Sequence, residues 1–203
     1  MKKSYAFLSY LGISLFLLSA CGNTGINLSA YRELSHSPER FIQCHGQGCT
    51  TRSRTGFTSA EWKRVKVQMT PPAKNAEAER VKIAKTIALM ERLVGAHTGT
   101  QVDRAEAKAP KSDIFQMDCI DETANTTQYL KFLETAGLFT FHRVSDPVHR
   151  GFFINGMWPH NTASIQEKKS GAIYVVDAFY QDNGKPPAII PKEIWVAGWR
   201  LAP

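Results

Sequence analysis

Three features of the sequence predict an α+β fold. Two amphipathic helical segments come first, the apolar period changes from helical to alternating after Gly137, and the later apolar stretches are joined by short turns. At 203 residues, 43% hydrophobic and 21% charged, the chain has ordinary globular usage and can bury one real core. Four cysteines are too few for a disulfide-built scaffold but enough for one bridge and one working thiol.

Taken from its start, the chain opens with Lys2 and Lys3, then runs from Tyr5 to Ala20 almost without a polar break and with no charge. A membrane span needs about 20 such residues, whereas this length suits the apolar region of a signal peptide. The run ends in Leu18-Ser19-Ala20-Cys21-Gly22, which resembles the lipobox of bacterial lipoproteins. That resemblance implies removal of residues 1–20, acylation of Cys21 and a bilayer anchor, with Gly22 leaning towards the outer membrane. Residues 21–75, rich in Ser, Thr, Gly and Pro, read as a tether and N-terminal extension. Cys44 and Cys49 bracket a Gly-rich turn inside it. The spacing does not suit haem attachment, and no second ligand pair is at hand for zinc, so in an oxidising compartment a local disulfide is expected.

Residues 76–203 form the expected globular domain. Ala76–Val94 reads as a helix with Val81, Ala84, Ile87, Ala88, Leu89 and Val94 inward, Arg80, Lys82, Lys85 and Glu91 outward, and Gly95 as its cap. The next helix runs from about Cys119 to Ala136, with Asp118 as N-cap, a stripe of Ile120, Ala124, Thr127, Leu130 and Leu133, and Gly137 as its stop. Strands are then expected over 138–144, ended by Pro147, over 158–166 and over 172–179. Pro186-Pro187 marks an irregular crossing, and 194–199 a final strand or edge segment.

The charge is uneven. From Cys21 to Lys111 there are 15 basic and 8 acidic side chains, and from Ser112 onward 8 and 10. The densest basic stretch holds Arg52, Arg54, Lys63, Arg64 and Lys66, a surface suited either to anionic headgroups or simply to water. No nucleic-acid module is recognisable, so nucleic acid is not an expected partner.

With Cys21, Cys44 and Cys49 assigned, Cys119 remains as the unassigned thiol, at a helix start where unpaired N–H groups favour the thiolate. Among six histidines His160 is best placed as a base, on a strand whose neighbour ends in Asp177. A turn centred between Lys168 and Lys169 sets the two opposite, and a centre one residue later leaves them diagonal. An aspartate there can orient the imidazole. His142 and His149 are the other candidate bases. Gln116 is a candidate oxyanion donor beside the Cys119 N–H, and Trp158 suits either a cleft wall or the core.

The segments Met117-Asp118-Cys119-Ile120-Asp121-Glu122, Pro159-His160-Asn161-Thr162-Ala163 and Tyr174-Val175-Val176-Asp177 resemble, in order and element type, the transglutaminase-like cysteine protease group of the papain-like fold. The likeness covers roughly residues 76–180. It implies a papain-like core of helices packed on an antiparallel sheet, with Cys119 as nucleophile, His160 as base, Asp177 as orienting carboxylate, and amide or isopeptide chemistry. The branch that processes surface adhesins has an acidic residue directly after the cysteine and uses calcium. Here Ile120 stands at that position while Asp118 and Asp121 match, so no cofactor is expected, with calcium as the alternative. The function expected is a membrane-anchored periplasmic thiol hydrolase or acyltransferase acting on protein, peptide or cell-wall peptide amides. The alternative is a non-enzymatic envelope lipoprotein using the same fold for binding or assembly.

Overall fold

The computed structural model describes residues 37–107, 112–151 and 159–201. The expected leader, Cys21 and Trp158 lie outside them. No helix of the described residues is long and apolar enough to cross a membrane.

The described part of the expected tether is folded into the core. Strands β1 (Phe41–His45) and β2 (Thr51–Thr55) form an antiparallel hairpin, Phe41 opposite Thr55 and His45 opposite Thr51. Its turn carries the Cys44–Cys49 disulfide, with Cα atoms 4.7 Å apart. Helix α1 (Ser59–Met69) begins at a capping box: the Glu61 N–H donates to Thr58 Oγ1, and the Thr58 N–H donates to Glu61 Oε2. Phe41, Phe57, Val65 and Met69 join the main apolar cluster, so this segment is part of the domain rather than a spacer. Low apolar density along the stretch hid the few large side chains that dock it.

Helix α2 (Ala76–Thr98) starts at Asn75, whose Oδ1 accepts from the Ala78 N–H, and ends at Gly99 with φ of 87°. It therefore runs past the expected cap. Gly95 lies inside the helix, where a Cβ would sit 2.9 Å from both Asn183 Oδ1 and the Gln101 nitrogen, so close approach is what the glycine permits. The buried stripe is Ile83, Ile87, Met90 and Val94. Val81, expected inside, is 51% exposed, and Glu91, expected outside, is buried. Glu91 is drawn in by the Gly184 N–H, which donates to its Oε2.

Helix α3 (Cys119–Thr135) is the central element. Asp118 caps it by accepting from the N–H groups of Ile120 and Asp121, and Asp121 Oδ2 accepts in return from the Asp118 N–H. Ala124, Thr127, Leu130 and Leu133 are buried as expected, but so are Asp121, Glu122, Thr123, Asn125 and Gln128 on its other sides. Such a helix is enclosed all round, by the hairpin, α2 and the sheet.

The sheet is an antiparallel meander of β3 (His142–Arg150), β4 (His160–Glu167), β5 (Ile173–Asp177) and β6 (Ala188–Pro191), in that order. Pro147 does not end β3. That strand lies at the sheet edge, and the register shifts between Ser145 and Val148, so the proline occupies the irregularity. The stretch after Pro186-Pro187 supplies β6, with Ala188 opposite Asp177. The expected final strand over 194–199 is instead the short helix α4 (Lys192–Val196), followed by a turn. A short apolar run fits one helical turn as well as a strand, and burial of Trp195 decides it.

Candidate active site

Cys119 is the first residue of α3, half-buried against β4. The helix start was expected to lower its pKa. Burial instead pushes the thiol up to about 11, helped by the negative charges of Asp118 and Asp177. Hydrogen bonding from the Asn161 backbone and side chain opposes this without reversing it.

His160 opens β4 and Asp177 closes β5. Ala163 pairs with Val176 and Ser164 with Val175, so His160 and Asp177 are diagonal rather than opposite. The diagonal is short enough for His160 Nε2 to donate to Asp177 Oδ2 at 3.0 Å, with both residues buried. An acceptor-only carboxylate at Nε2 fixes the neutral tautomer and leaves Nδ1 as the basic nitrogen. The Trp195 Nε1–H donates to the same Oδ2 at 2.7 Å, and the Phe179 N–H to Oδ1 at 3.3 Å. Phe179, Tyr180 and Trp195 surround the imidazole with ring centroids 4.8 to 5.4 Å away. The structure thus brings the His160–Asp177 pair, Asn161 and Cys119 into one neighbourhood.

The other candidate bases are placed differently. His142 is fully buried at the start of β3, its Nδ1 2.7 Å from Glu79 Oε2. Glu79 also accepts from the backbone N–H groups of Thr140, Phe141 and His142. Burial works against ionisation there, yet these donors hold the carboxyl below its usual value. His142 therefore joins α2 to the sheet. His149 pairs across the strands with Asn161, its Nδ1 3.0 Å from Asn161 Oδ1 and its Nε2 3.0 Å from the Gly151 carbonyl. The Gln116 side-chain amide accepts from the Arg104 N–H and donates to the Val102 carbonyl, so it braces the loop before α3.

The disulfide hairpin grips the first turns of α3. The Cys49 N–H donates to Asp121 Oδ1 at 2.6 Å, and the Cys44 N–H and carbonyl bond both ends of the Asn125 amide. Cys44, Cys49 and Asp121 lie close enough to hold a metal ion. The two sulfurs are joined to each other instead, and Asp121 accepts backbone N–H donors. Behind the site lies a group of buried carboxyls. Burial, with repulsion from neighbouring carboxylates, raises Glu91 to about 8, Asp103 and Asp121 to about 7, and Glu122 well above its usual value.

Sequence reasoning missed Asn161 and Trp195. Asn161 was legible only as the neighbour of His160, whereas Trp195 reaches Asp177 from a segment with no periodic signal linking it to the site. Compared with known proteins, the chain matches no family model, no curated protein and no solved structure.

Proposed function

We propose that the protein is a thiol hydrolase or acyltransferase acting on peptide-type amides, with Cys119 as nucleophile, His160 as base and Asp177 as its orienting carboxylate. The observation that carries this is a buried, tautomer-fixing His160–Asp177 hydrogen bond beside the half-buried thiol that opens α3.

The thiol rests protonated, so its deprotonation accompanies attack. His160 Nδ1 takes the proton as the sulfur adds to the carbonyl carbon, and the carbonyl π electrons move to oxygen. The Cys119 N–H, ahead of the N–H groups that Asp118 already caps, is the donor this reading assigns to that oxyanion. The tetrahedral intermediate collapses to a thioester, and the imidazolium gives its proton to the departing amine. Water or a second amine then attacks the thioester, again losing its proton to His160, and releases the thiol. Asp177 holds the ring and stabilises the imidazolium without taking the proton.

The buried thiol's high pKa also supports a second reading, a non-enzymatic envelope lipoprotein that keeps this fold for binding or assembly. Incubation of the full chain with p-nitrophenyl acetate separates the two. An enzyme gives a burst of p-nitrophenolate and an acetylated Cys119 peptide, both lost in Cys119→Ala. A binding protein gives neither. Adding a primary amine and following product distinguishes hydrolysis from transfer. Purified cell wall offered in parallel tests the narrower possibility of a peptidoglycan amidase.

We further propose that the protein faces the periplasm from the bacterial envelope, held through acylated Cys21, with the outer membrane preferred. Several acyl chains anchor stably where one holds marginally. Cys21→Ser should leave the protein unanchored and accumulate a precursor, and unchanged membrane fractionation would exclude the anchor.

A further inference from the structure

We propose that the segment after Pro191 completes the site, with Trp195 and Arg150 as positioning residues: Trp195 holds Asp177, and Arg150 holds Trp195. This rests on the reading that Cys119, His160 and Asp177 act together, and it extends the machinery beyond the part of the chain that carries the family likeness.

Arg150 sits at the end of β3, directly across from His160 in the strand register. It is 7% exposed and makes no ion pair among the described residues. A guanidinium buried without a carboxylate is costly unless its donors are satisfied. Its Nη1 donates to the carbonyl oxygens of Trp195 and Trp199, and its Nη2 donates to Tyr180 Oη at 2.7 Å. Its central carbon lies 4.1 Å from the centroid of the Trp195 ring. The fork therefore ties β3 to the C-terminal turn through backbone oxygens, while its plane lies on the indole whose N–H reaches Asp177. Tyr180 and Trp195, both touching Arg150, are also two of the three rings around His160. A lysine has neither the fork nor the plane needed for this arrangement.

The test is the pH profile, between pH 5 and 9, of Cys119 acylation by p-nitrophenyl acetate in the full chain. Trp195→Phe keeps an aromatic ring at this position and removes the indole N–H together with the second ring that carries it. With one N–H donor fewer on its carboxylate, the hydrogen-bonded His160–Asp177 pair takes up a proton more readily as a unit, so acylation should slow about tenfold at pH 6, and the acid limb should move up by about one pH unit. Arg150→Lys should move the profile in the same direction. The double variant should be within about twofold of Trp195→Phe alone, because the two residues act through one contact. A Trp195→Phe profile equal to wild type overturns the proposal, as does a double variant whose losses multiply. If Arg150→Lys fails to fold, the Trp195→Phe profile decides alone. A wild-type chain that is never acylated at Cys119 overturns the proposal together with the function it serves. Normal wild-type acylation with unchanged variants overturns this proposal only.

Discussion

At Cys119 two effects of opposite sign meet. Burial and the charges of Asp118 and Asp177 favour the thiol, while hydrogen bonds from the Asn161 backbone and side chain favour a thiolate. Burial is the largest, and the sulfur keeps its proton up to about pH 11. Alkylation of Cys119 by iodoacetamide in the resting protein should therefore climb steadily from pH 7 to 10, and a plateau already reached near pH 6 would contradict this balance. His160 and Asp177 were legible as residues because alternation along two strands fixed their faces, and the turn length left only two registers. Trp195 and Arg150 were not legible, since each reaches the site from an element whose position depends on the whole fold. Asp177→Asn keeps the shape but lets the amide donate to His160, favouring the wrong tautomer. Acylation should fall by on the order of a thousandfold with Cys119 still present, and a loss under tenfold would remove Asp177 from its role. Glu79→Ala removes the acceptor for three backbone N–H groups and for His142. Breaking a buried pair of this kind should cost about 3–5 kcal/mol in urea unfolding, and a cost below about 1 kcal/mol would contradict its structural role.

Among elements, α3 is gripped at its first turns by the disulfide hairpin through Asp121 and Asn125. The bridge closes a short loop, so replacing both Cys44 and Cys49 by serine should cost about 2 kcal/mol by loop-closure entropy. Because those turns also place Cys119, the double variant should acylate more slowly even where it remains folded. Unchanged stability and rate would mean that the hairpin holds itself without the bridge. Helices α2 and α3 and strands β4 and β5 were readable to within a few residues because caps and period changes mark them. By contrast, β3 begins and ends later than expected, β6 reads in the sequence as an irregular crossing and α4 as a strand. The exceptions have physical causes. Gly95 looked like a helix end but serves a close approach, and Pro147 looked like a strand end but sits at an edge irregularity. The β1–β2 hairpin was lost in a polar stretch because β2 shows only Arg, Ser and Thr to the reader.

For the whole molecule, the buried carboxyls make stability depend on pH. Glu91 is held at about 8 against a usual value of 4.5, so the folded chain keeps a proton that the unfolded chain releases. Its stabilising share is complete below about pH 4.5 and is lost as pH rises towards 8, and Asp103, Asp121 and Glu122 act in the same direction. Glu79, held low, has the opposite sign and loses its share only as pH falls through its depressed value. The thermal midpoint should thus decline by several degrees between pH 5 and 8, with Glu91→Gln flattening the decline. A midpoint that rises over that range would contradict the buried protons. At this scale the sequence carried the α+β order and the charge asymmetry. It did not carry the enclosure of α3, which turns ordinary acidic side chains into buried, proton-holding ones. The central claim is that His160 draws the proton from Cys119, and it is tested most directly by the rate at which p-nitrophenyl acetate acylates Cys119 at pH 7 in wild type and in His160→Gln. Loss of a general base should slow acylation by about 10²–10⁴-fold, with folding intact by circular dichroism. Equal rates would show that the thiol reacts alone, and that the His160–Asp177 pair serves the fold rather than the chemistry.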